Sequence, residues 1–119
     1  MLELIALLLV AHQPLQPVVE GVASFYTAES SGPVTASGEV MRDDLFTCAM
    51  RSGEFGTHYL VVADNGRSVV CRLNDRGPYV KGRVIDLSEA AVRALHPTAG
   101  RLRVKVYKLG PDLATEKAS

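Results

Sequence analysis

The stretch RLNDRGPYVKGRVIDLS, residues 72–88, decides how the rest of the sequence is interpreted. It runs from a strand-like segment through Asp75 and a Gly-Pro turn to a second acid, Asp86, at the entrance to a helical pattern. Turn chemistry explains Asp75, because Asp initiates turns, Gly77 adopts backbone angles closed to other residues and Pro78 ends strand pairing. A carboxylate on a stiff turn is also where an acid catalyst would be placed, since loops on rigid scaffolds carry function. These residues alone leave both interpretations open.

Short strand-like segments with tight turns surround this stretch. THYLVVA (57–63) and RSVVCRLN (67–74) are separated by Asp-Asn-Gly, which is a hairpin signal. The second of them alternates, so that Val69, Cys71 and Leu73 share one face and Val70, Arg72 and Asn74 the other. Four more strands are predicted in GVASFYT (21–27), LFTCAM (45–50), RVID (83–86) and RLRVKVYKL (101–109). The pattern predicts a mainly β fold, a small closed or half-closed barrel, because closure removes exposed edge strands.

One helix is predicted, at about residues 88–96. Asp86 or Ser88 can cap its start, and Asp86 with Glu89 has the spacing of a capping box. Pro97 ends it. Its apolar stripe at helical spacing consists of Leu87, Ala90, Ala91, Ala94 and Leu95.

The 119 residues suit one domain, here divided into a signal-like segment and linker (1–20), a barrel (21–109) and a polar tail (110–119). MLELIALLLV at the start has the length of the apolar part of an export signal and is too short to span a bilayer. Its head carries Glu3 and no Lys or Arg, so an apolar element packed on the domain is the alternative. We expect export to the periplasm or cell envelope and no stable membrane span.

The charges and cysteines exclude several classes of function. Thirteen basic and thirteen acidic residues give no net charge, which argues against nucleic-acid binding. No metal site is expected, because two cysteines and three histidines lack the spacing of metal ligands. In an exported chain Cys48 and Cys71 are candidates for one disulfide, whereas in the cytosol they would be two small buried side chains.

A second candidate acid, Glu39, lies in the turn-rich segment TASGE (35–39). A solvated surface Glu is the simple interpretation, just as a helix cap is the simple interpretation of Asp86. Cleavage of a glycosidic bond commonly uses two carboxylates on either side of the bond. Glu39 and Asp75 could be such a pair if the fold brings them together.

Residues from about 21 to 109 contain, in this order, the motifs GVASFY, TASGE, FGT, NGRSVVCRLNDRGPYVKGRVIDLSEAA and RLRVKVYKL. This set resembles the RlpA-like (rare lipoprotein A) family of double-psi β-barrels and, more distantly, the expansins. The resemblance implies a six-stranded double-psi barrel in an exported cell-wall protein. It also implies lytic transglycosylation of peptidoglycan, preferentially of peptide-free glycan strands, by a monomer without a cofactor. Asp75 and Glu39 match the family's catalytic acids.

The resemblance leaves two functions to separate. In a lytic transglycosylase, Asp75 would be the acid and base, Glu39 a second catalyst or clamp, and Arg76 a charge that holds Asp75. The family typically has Thr-Ala-Ala-His where this chain has Thr47-Cys48-Ala49-Met50. The replacement of the histidine by Met50 predicts weaker catalysis. It favours the second function, a non-catalytic, expansin-like glycan-binding module. In either case Arg76, Tyr26, Tyr79 and Phe25 are predicted to bind the glycan, the aromatic rings by stacking on sugars. The alternative for the aromatic rings is packing in the core or at the rim of the barrel.

Overall fold

The computed structural model describes residues 16–111, in which six strands form a closed barrel in the order β1-β5-β2-β4-β3-β6. The strands are β1 Val19–Tyr26, β2 Thr47–Ala49, β3 His58–Ala63, β4 Ser68–Asp75, β5 Arg83–Ser88 and β6 Leu102–Gly110. Two pairs, β1–β5 and β2–β4, are parallel, and the remaining pairs are antiparallel. This confirms the predicted six-stranded double-psi barrel.

The Asp-Asn-Gly signal forms the predicted hairpin between β3 and β4. Gly66 has φ +87°, an angle that favours glycine. The Asn65 side chain accepts a bond from the Arg67 amide at 2.9 Å and donates to the Leu95 carbonyl at 2.9 Å. One asparagine therefore stabilises the turn and ties it to the end of a helix.

Within residues 16–111 two helices accompany the barrel, where the sequence predicted one. The predicted helix, α2, spans Glu89–Leu95, and its N-cap is Ser88, whose hydroxyl accepts from the Ala91 amide at 3.3 Å. Asp86 is therefore not the cap, because it lies within β5 two residues earlier. The unpredicted helix, α1, is the single turn Ala28–Ser31, closed by reciprocal bonds between Thr27 and Ser30.

Inward-facing residues of the strands and α2 fill the barrel. Val69, Cys71 and Leu73 are buried as their alternation predicted, and Ala91, Val92 and Leu95 of α2 join the same core. Asn74, predicted on the outer face, is also buried, at a point where the β2–β4 register shifts. Local alternation does not predict such a shift, because it depends on a strand distant in the sequence.

The two cysteines form the predicted disulfide. Cys48 in β2 and Cys71 in β4 are joined inside the core with their Cα atoms 5.8 Å apart. The bond links two adjacent parallel strands, of which β2 has only three residues. It therefore reinforces the shortest strand of the barrel.

The barrel extends slightly beyond the predicted domain limits of 21 and 109. β1 begins at Val19, and the Val18 amide donates to the Val106 carbonyl at 2.7 Å, while β6 continues to Gly110. The predicted export segment 1–10 and most of the predicted tail lie outside the described residues. Between residues 16 and 111 no helix is long and apolar enough to cross a membrane.

Candidate active site

Strand pairing places two carboxylates in one row across the barrel. In β5, Asp86 pairs with Ser24 of β1 on one side and with Ala49 of β2 on the other. Ala49 in turn pairs with Asp75 of β4. Paired residues of adjacent strands project from the same face, so Ser24, Asp86, Ala49 and Asp75 form one row. Their strand neighbours Ala23, Cys48 and Ile85 lie in the main core, so the row lies on the opposite face.

Asp75 ends β4, and neutral backbone groups hold its half-buried side chain. Its Oδ1 accepts hydrogen bonds from the amides of Ala36 and Arg76, both at 2.9 Å. Its carbonyl accepts from the Met50 amide at 3.3 Å. Within residues 16–111 both of these backbone amides donate to Oδ1, which leaves Oδ2 available to exchange a proton with a ligand.

Glu39 is brought to the same end of β4 and is paired with an arginine. Both carboxylate oxygens accept from the Arg72 guanidinium, with Nη2–Oε2 at 2.8 Å. The hydrogen bonds from Arg72 hold the pKa of the Glu39 carboxyl below its usual range, with help from its charge and from Asn74 and Ser37. Glu39 is therefore an anion at neutral pH, and a poor proton donor.

Tyr26 lies beneath these acids and is buried, with 7% of its surface exposed. Its hydroxyl donates to Asn74 Oδ1 at 3.4 Å and lies 3.4 Å from the Thr47 hydroxyl. Burial raises the pKa of Tyr26 to about 12, and three negative charges add to the rise, those of Asp75, Asp86 and Glu39. All three carboxylates thus act on one buried hydroxyl group. The prediction that Tyr26 stacks on a sugar is wrong, because its ring has no open face.

The other two predicted stacking residues lie in different environments, one packed against the core and one exposed to solvent. Phe25 projects to the opposite face of β1 from Tyr26, packs against the main core and is covered by the Arg93 guanidinium 5.3 Å from its ring centre. It does not reach the row of acids. Tyr79, which follows the Gly77-Pro78 turn, is 74% exposed and remains available for a ligand.

Arg76 reaches away from Asp75. Its guanidinium donates to the Gly53 carbonyl at 2.6 Å and to the Met50 carbonyl at 3.5 Å, and it stacks on the Phe55 ring 4.1 Å from its centre. Within residues 16–111 no ion pair joins it to Asp75. The prediction that its charge holds Asp75 is therefore wrong, and its backbone amide makes that contact instead.

Sequence reasoning missed two residues of this region. Asp86 was interpreted as a helix cap, yet it accepts from the Ser24 hydroxyl inside the row of acids. Phe55, 36% exposed beneath Arg76, lines a groove of ≈ 370 Å³ that Glu54 and Lys108 also line. The FGT motif contains Phe55 and was the available signal.

Met50 stands where the family resemblance predicts a histidine. It lies two residues after Cys48 on the inward face, and its side chain, 5% exposed, packs in the main core. A small cavity beside it is lined by Val19 and Val84. The thioether is thus part of the apolar interior, while the Met50 backbone contacts Asp75.

The described residues contain no cluster of three or more His, Cys, Asp or Glu side chains that could hold a metal ion. The two acids of the row instead have a hydroxyl partner, at Asp86, and two amide partners, at Asp75, while Glu39 has a guanidinium partner. The arrangement is one that can exchange a proton and stabilise positive charge on a bound molecule.

Comparison with known proteins gives the family of this chain. The family model described as "Lytic transglycolase" matches residues 18–106. The chain is 45% identical over 97 residues to the "Probable endolytic peptidoglycan transglycosylase RlpA" of Treponema pallidum, covering 80% of this chain and 30% of that protein. It is 42% identical over 94 residues to the "Endolytic peptidoglycan transglycosylase RlpA" of Pasteurella multocida, covering 76% and 32%. The matches thus span about a third of these relatives' length.

Solved structures share the fold at lower identity. An expansin of Clavibacter michiganensis matches with a TM-score of 0.59 at 23% identity, over 76% of this chain and 49% of the expansin. A Streptomyces papain inhibitor matches with a TM-score of 0.60 at 19% identity, over 81% of this chain and 97% of the inhibitor. With the family model and the relatives, these matches show that the chain belongs to the RlpA-like lytic transglycolase family of double-psi β-barrels.

Proposed function

We propose that this protein is a lytic transglycosylase that cleaves peptidoglycan glycan strands between N-acetylmuramic acid and N-acetylglucosamine. The observation that carries the proposal is Asp75, which is fixed through Oδ1 by two backbone amides while Oδ2 accepts from no described residue. The names of the relatives from Treponema and Pasteurella support the same activity. Peptide-free strands are the expected substrate.

In the proposed reaction the Asp75 carboxyl transfers its proton to the glycosidic oxygen as the bond to the muramic C1 breaks. The resulting carboxylate then accepts the proton of the muramic C6 hydroxyl, whose oxygen attacks C1. This closes the 1,6-anhydro ring, consumes no water and returns Asp75 to its starting state. One carboxyl group thus acts first as acid and then as base.

Asp86 would stabilise the positive charge that develops on the sugar ring. It is two strands from Asp75, which corresponds to about 10 Å between their Cα atoms. The intervening residue is Ala49, which is 3% exposed and packs with Tyr26 and Met41 between the two acids. The exposed ring of Tyr79 and the Arg76–Phe55 stack would contact neighbouring sugars.

The direct test is incubation of the purified chain with peptide-free sacculi, followed by mass spectrometry of the soluble products. Wild type should release fragments that end in 1,6-anhydro-muramic acid. Asp75→Asn should lower the rate by about a hundredfold or more, since general acid–base catalysis contributes that much. Asp64→Asn, which changes an exposed acid in the β3–β4 hairpin, is the matched control and should keep the wild-type rate. Unchanged release by Asp75→Asn would contradict the assignment.

The second candidate is a non-catalytic glycan-binding module. An expansin variant of the same fold has been solved with cellohexaose, at a TM-score of 0.60 and 21% identity, and Met50 in place of the family's histidine favours this function. It predicts that the protein sediments with sacculi and releases no anhydro-sugar. The Met50→His variant, which introduces the family's imidazole ring, also separates the two functions. A gain in release of anhydro-sugar would show that the thioether limits catalysis.

We further infer export to the cell envelope, where peptidoglycan is located and where a disulfide persists. Mass spectrometry of the envelope protein without reductant should show a mature start after the apolar segment 1–10 and the two-dalton loss of the Cys48–Cys71 bond. An intact Met1 with free thiols would contradict export. Size-exclusion chromatography with light scattering tests the expected monomer.

A further inference from the structure

The loop that carries Glu39 covers the end of β4 and contacts it at three successive points. The Ala36 amide donates to Asp75 Oδ1 at 2.9 Å, the Ser37 amide donates to the Asn74 carbonyl at 3.1 Å, and Glu39 pairs with Arg72. The first contact fixes the proposed acid. The loop therefore takes part in orienting Asp75.

The loop is closed on itself and attached to the barrel mainly by polar groups. Val34 and Val40 form a β-bridge, and the Thr35 amide donates to the Glu39 carbonyl at 2.9 Å, so residues 34–40 form one small unit. Val34 is 57% exposed and Val40 is 70% exposed, so neither packs against β4. Met41, the next residue, is 4% exposed and anchors the base of the unit against Tyr26 and Ala49. Beyond this anchor the unit depends on its polar contacts to stay over the end of β4.

The ion pair is the strongest of these contacts by its chemistry. It joins two charged groups through two parallel hydrogen bonds, the arrangement in which arginine binds carboxylates best. The Arg72 side chain is 25% exposed and that of Glu39 is 39% exposed, so solvent screens the pair only in part. Because the guanidinium keeps the pKa of Glu39 low, the pair persists at neutral pH.

We propose that Glu39 is a positioning residue, and that with Arg72 it forms a latch which places the Ala36 amide on Asp75. Arg72 thereby becomes a member of the active site through the loop that it holds. This inference rests on the proposed function for its effect on catalysis. Its structural part, control of the Ala36 contact by the latch, is independent of any activity.

The test is a double-mutant cycle with Glu39→Gln, Arg72→Gln and the double variant. Either single change breaks the latch, so release of anhydro-sugar should fall about tenfold or more in each. The double variant should lose little beyond the worse single variant, because both residues act through one contact. A direct catalytic role for Glu39 predicts instead that the double variant loses the product of the two single effects.

A second measurement separates positioning from chemistry. Hydrogen exchange of the Ala36 amide, followed by NMR, should speed up at least about threefold in each single variant and no further in the double. Arg42→Gln with Asp44→Asn is the matched control, because this exposed Arg–carboxylate pair follows the same loop. The control should change neither exchange nor activity.

The two proposals fail in distinguishable ways. If wild type releases no anhydro-sugar but the latch variants speed Ala36 exchange, the proposed function is wrong and the latch stands. If wild type is active and Ala36 exchange is unchanged in Glu39→Gln and Arg72→Gln, the latch is wrong. Multiplicative activity losses in the double variant would also overturn it.

Discussion

Removing the disulfide should destabilise the barrel by an amount that its position in the chain determines. Cys48 and Cys71 are 23 residues apart. Closing a loop of this length in the unfolded chain contributes about 3.4 kcal/mol in the chain-entropy treatment. Small proteins lose about 1–3 kcal/mol of unfolding free energy per molar urea, so the urea midpoint should fall by roughly 1–3 M.

The experiment compares urea unfolding of the oxidised protein, the reduced protein and the Cys48→Ala/Cys71→Ala variant. Both sulfurs are fully buried, so the alanine variant should lose about 1 kcal/mol more than reduction alone through the atoms removed. Reductant should shift the midpoint of wild type and leave that of the variant unchanged. If the oxidised and reduced proteins unfold within about 1 kcal/mol of each other, the reasoning fails, because loop closure then contributes little.

Loss of the disulfide should destabilise strand β2 more than it destabilises the barrel as a whole. β2 spans three residues and contains Ala49, the residue between the two aspartates of the row. Without the covalent link to β4, this short strand should open before the rest of the barrel unfolds. We therefore expect activity to disappear at a lower urea concentration than the far-UV circular dichroism signal in the reduced protein, and the two curves to coincide in the oxidised protein.

Three further outcomes follow from single residues. Folding raises the pKa of Tyr26 from 10.0 to about 12, so its contribution to stability is complete below pH 10. This contribution is lost between pH 10 and 12, by up to about 3 kcal/mol. Tyr26→Phe should remove the loss, measured by urea titrations at pH 9 and 11.5. Gly53→Ala should lower the unfolding free energy by about 1–3 kcal/mol more than Gly66→Ala in the same assay. Both glycines have positive φ, but only at Gly53 would the new methyl lie 2.7 Å from the Tyr59 hydroxyl. Equal losses would contradict this packing. Asn65→Ala should lower the unfolding free energy by about 1–2 kcal/mol, because it removes two hydrogen bonds, and a change below 0.3 kcal/mol would mean that neither bond matters.

The elements of the fold that sequence reasoning predicted are those with local signals. The hairpin was predicted from Asp-Asn-Gly, the helix from its periodic apolar stripe, and the disulfide from two cysteines in a chain with an export-like start. The double-psi topology came from the family resemblance, because alternation within a strand does not say which distant strand lies beside it. The capping turn at Thr27 was missed because its box uses Ser30 where Glu or Gln is usual.

The candidate site was predicted less completely because it depends on register between distant strands. Asp86 has the local sequence of a helix cap, and only its pairing with Ser24 and Ala49 shows that it lies in line with Asp75. The stacking predictions for two of the aromatic residues were wrong for a related reason. Tyr26 and Phe25 are adjacent, so they project to opposite faces of β1, and both faces are covered in the folded barrel.

The partners of the two predicted acids assign them different tasks. Glu39 binds a guanidinium, a full positive charge that favours the anion and works against proton donation. Asp75 binds two neutral amides through one oxygen, which fixes the carboxyl group while its other oxygen can carry the proton. In the proposed reaction one carboxyl group gives a proton to the glycosidic oxygen and then takes a different proton from the muramic C6 hydroxyl. A second acid that released protons beside it would compete for the glycosidic oxygen. Under the latch proposal, the charge of Arg72 prevents that competition through the same contact that holds the loop over Asp75.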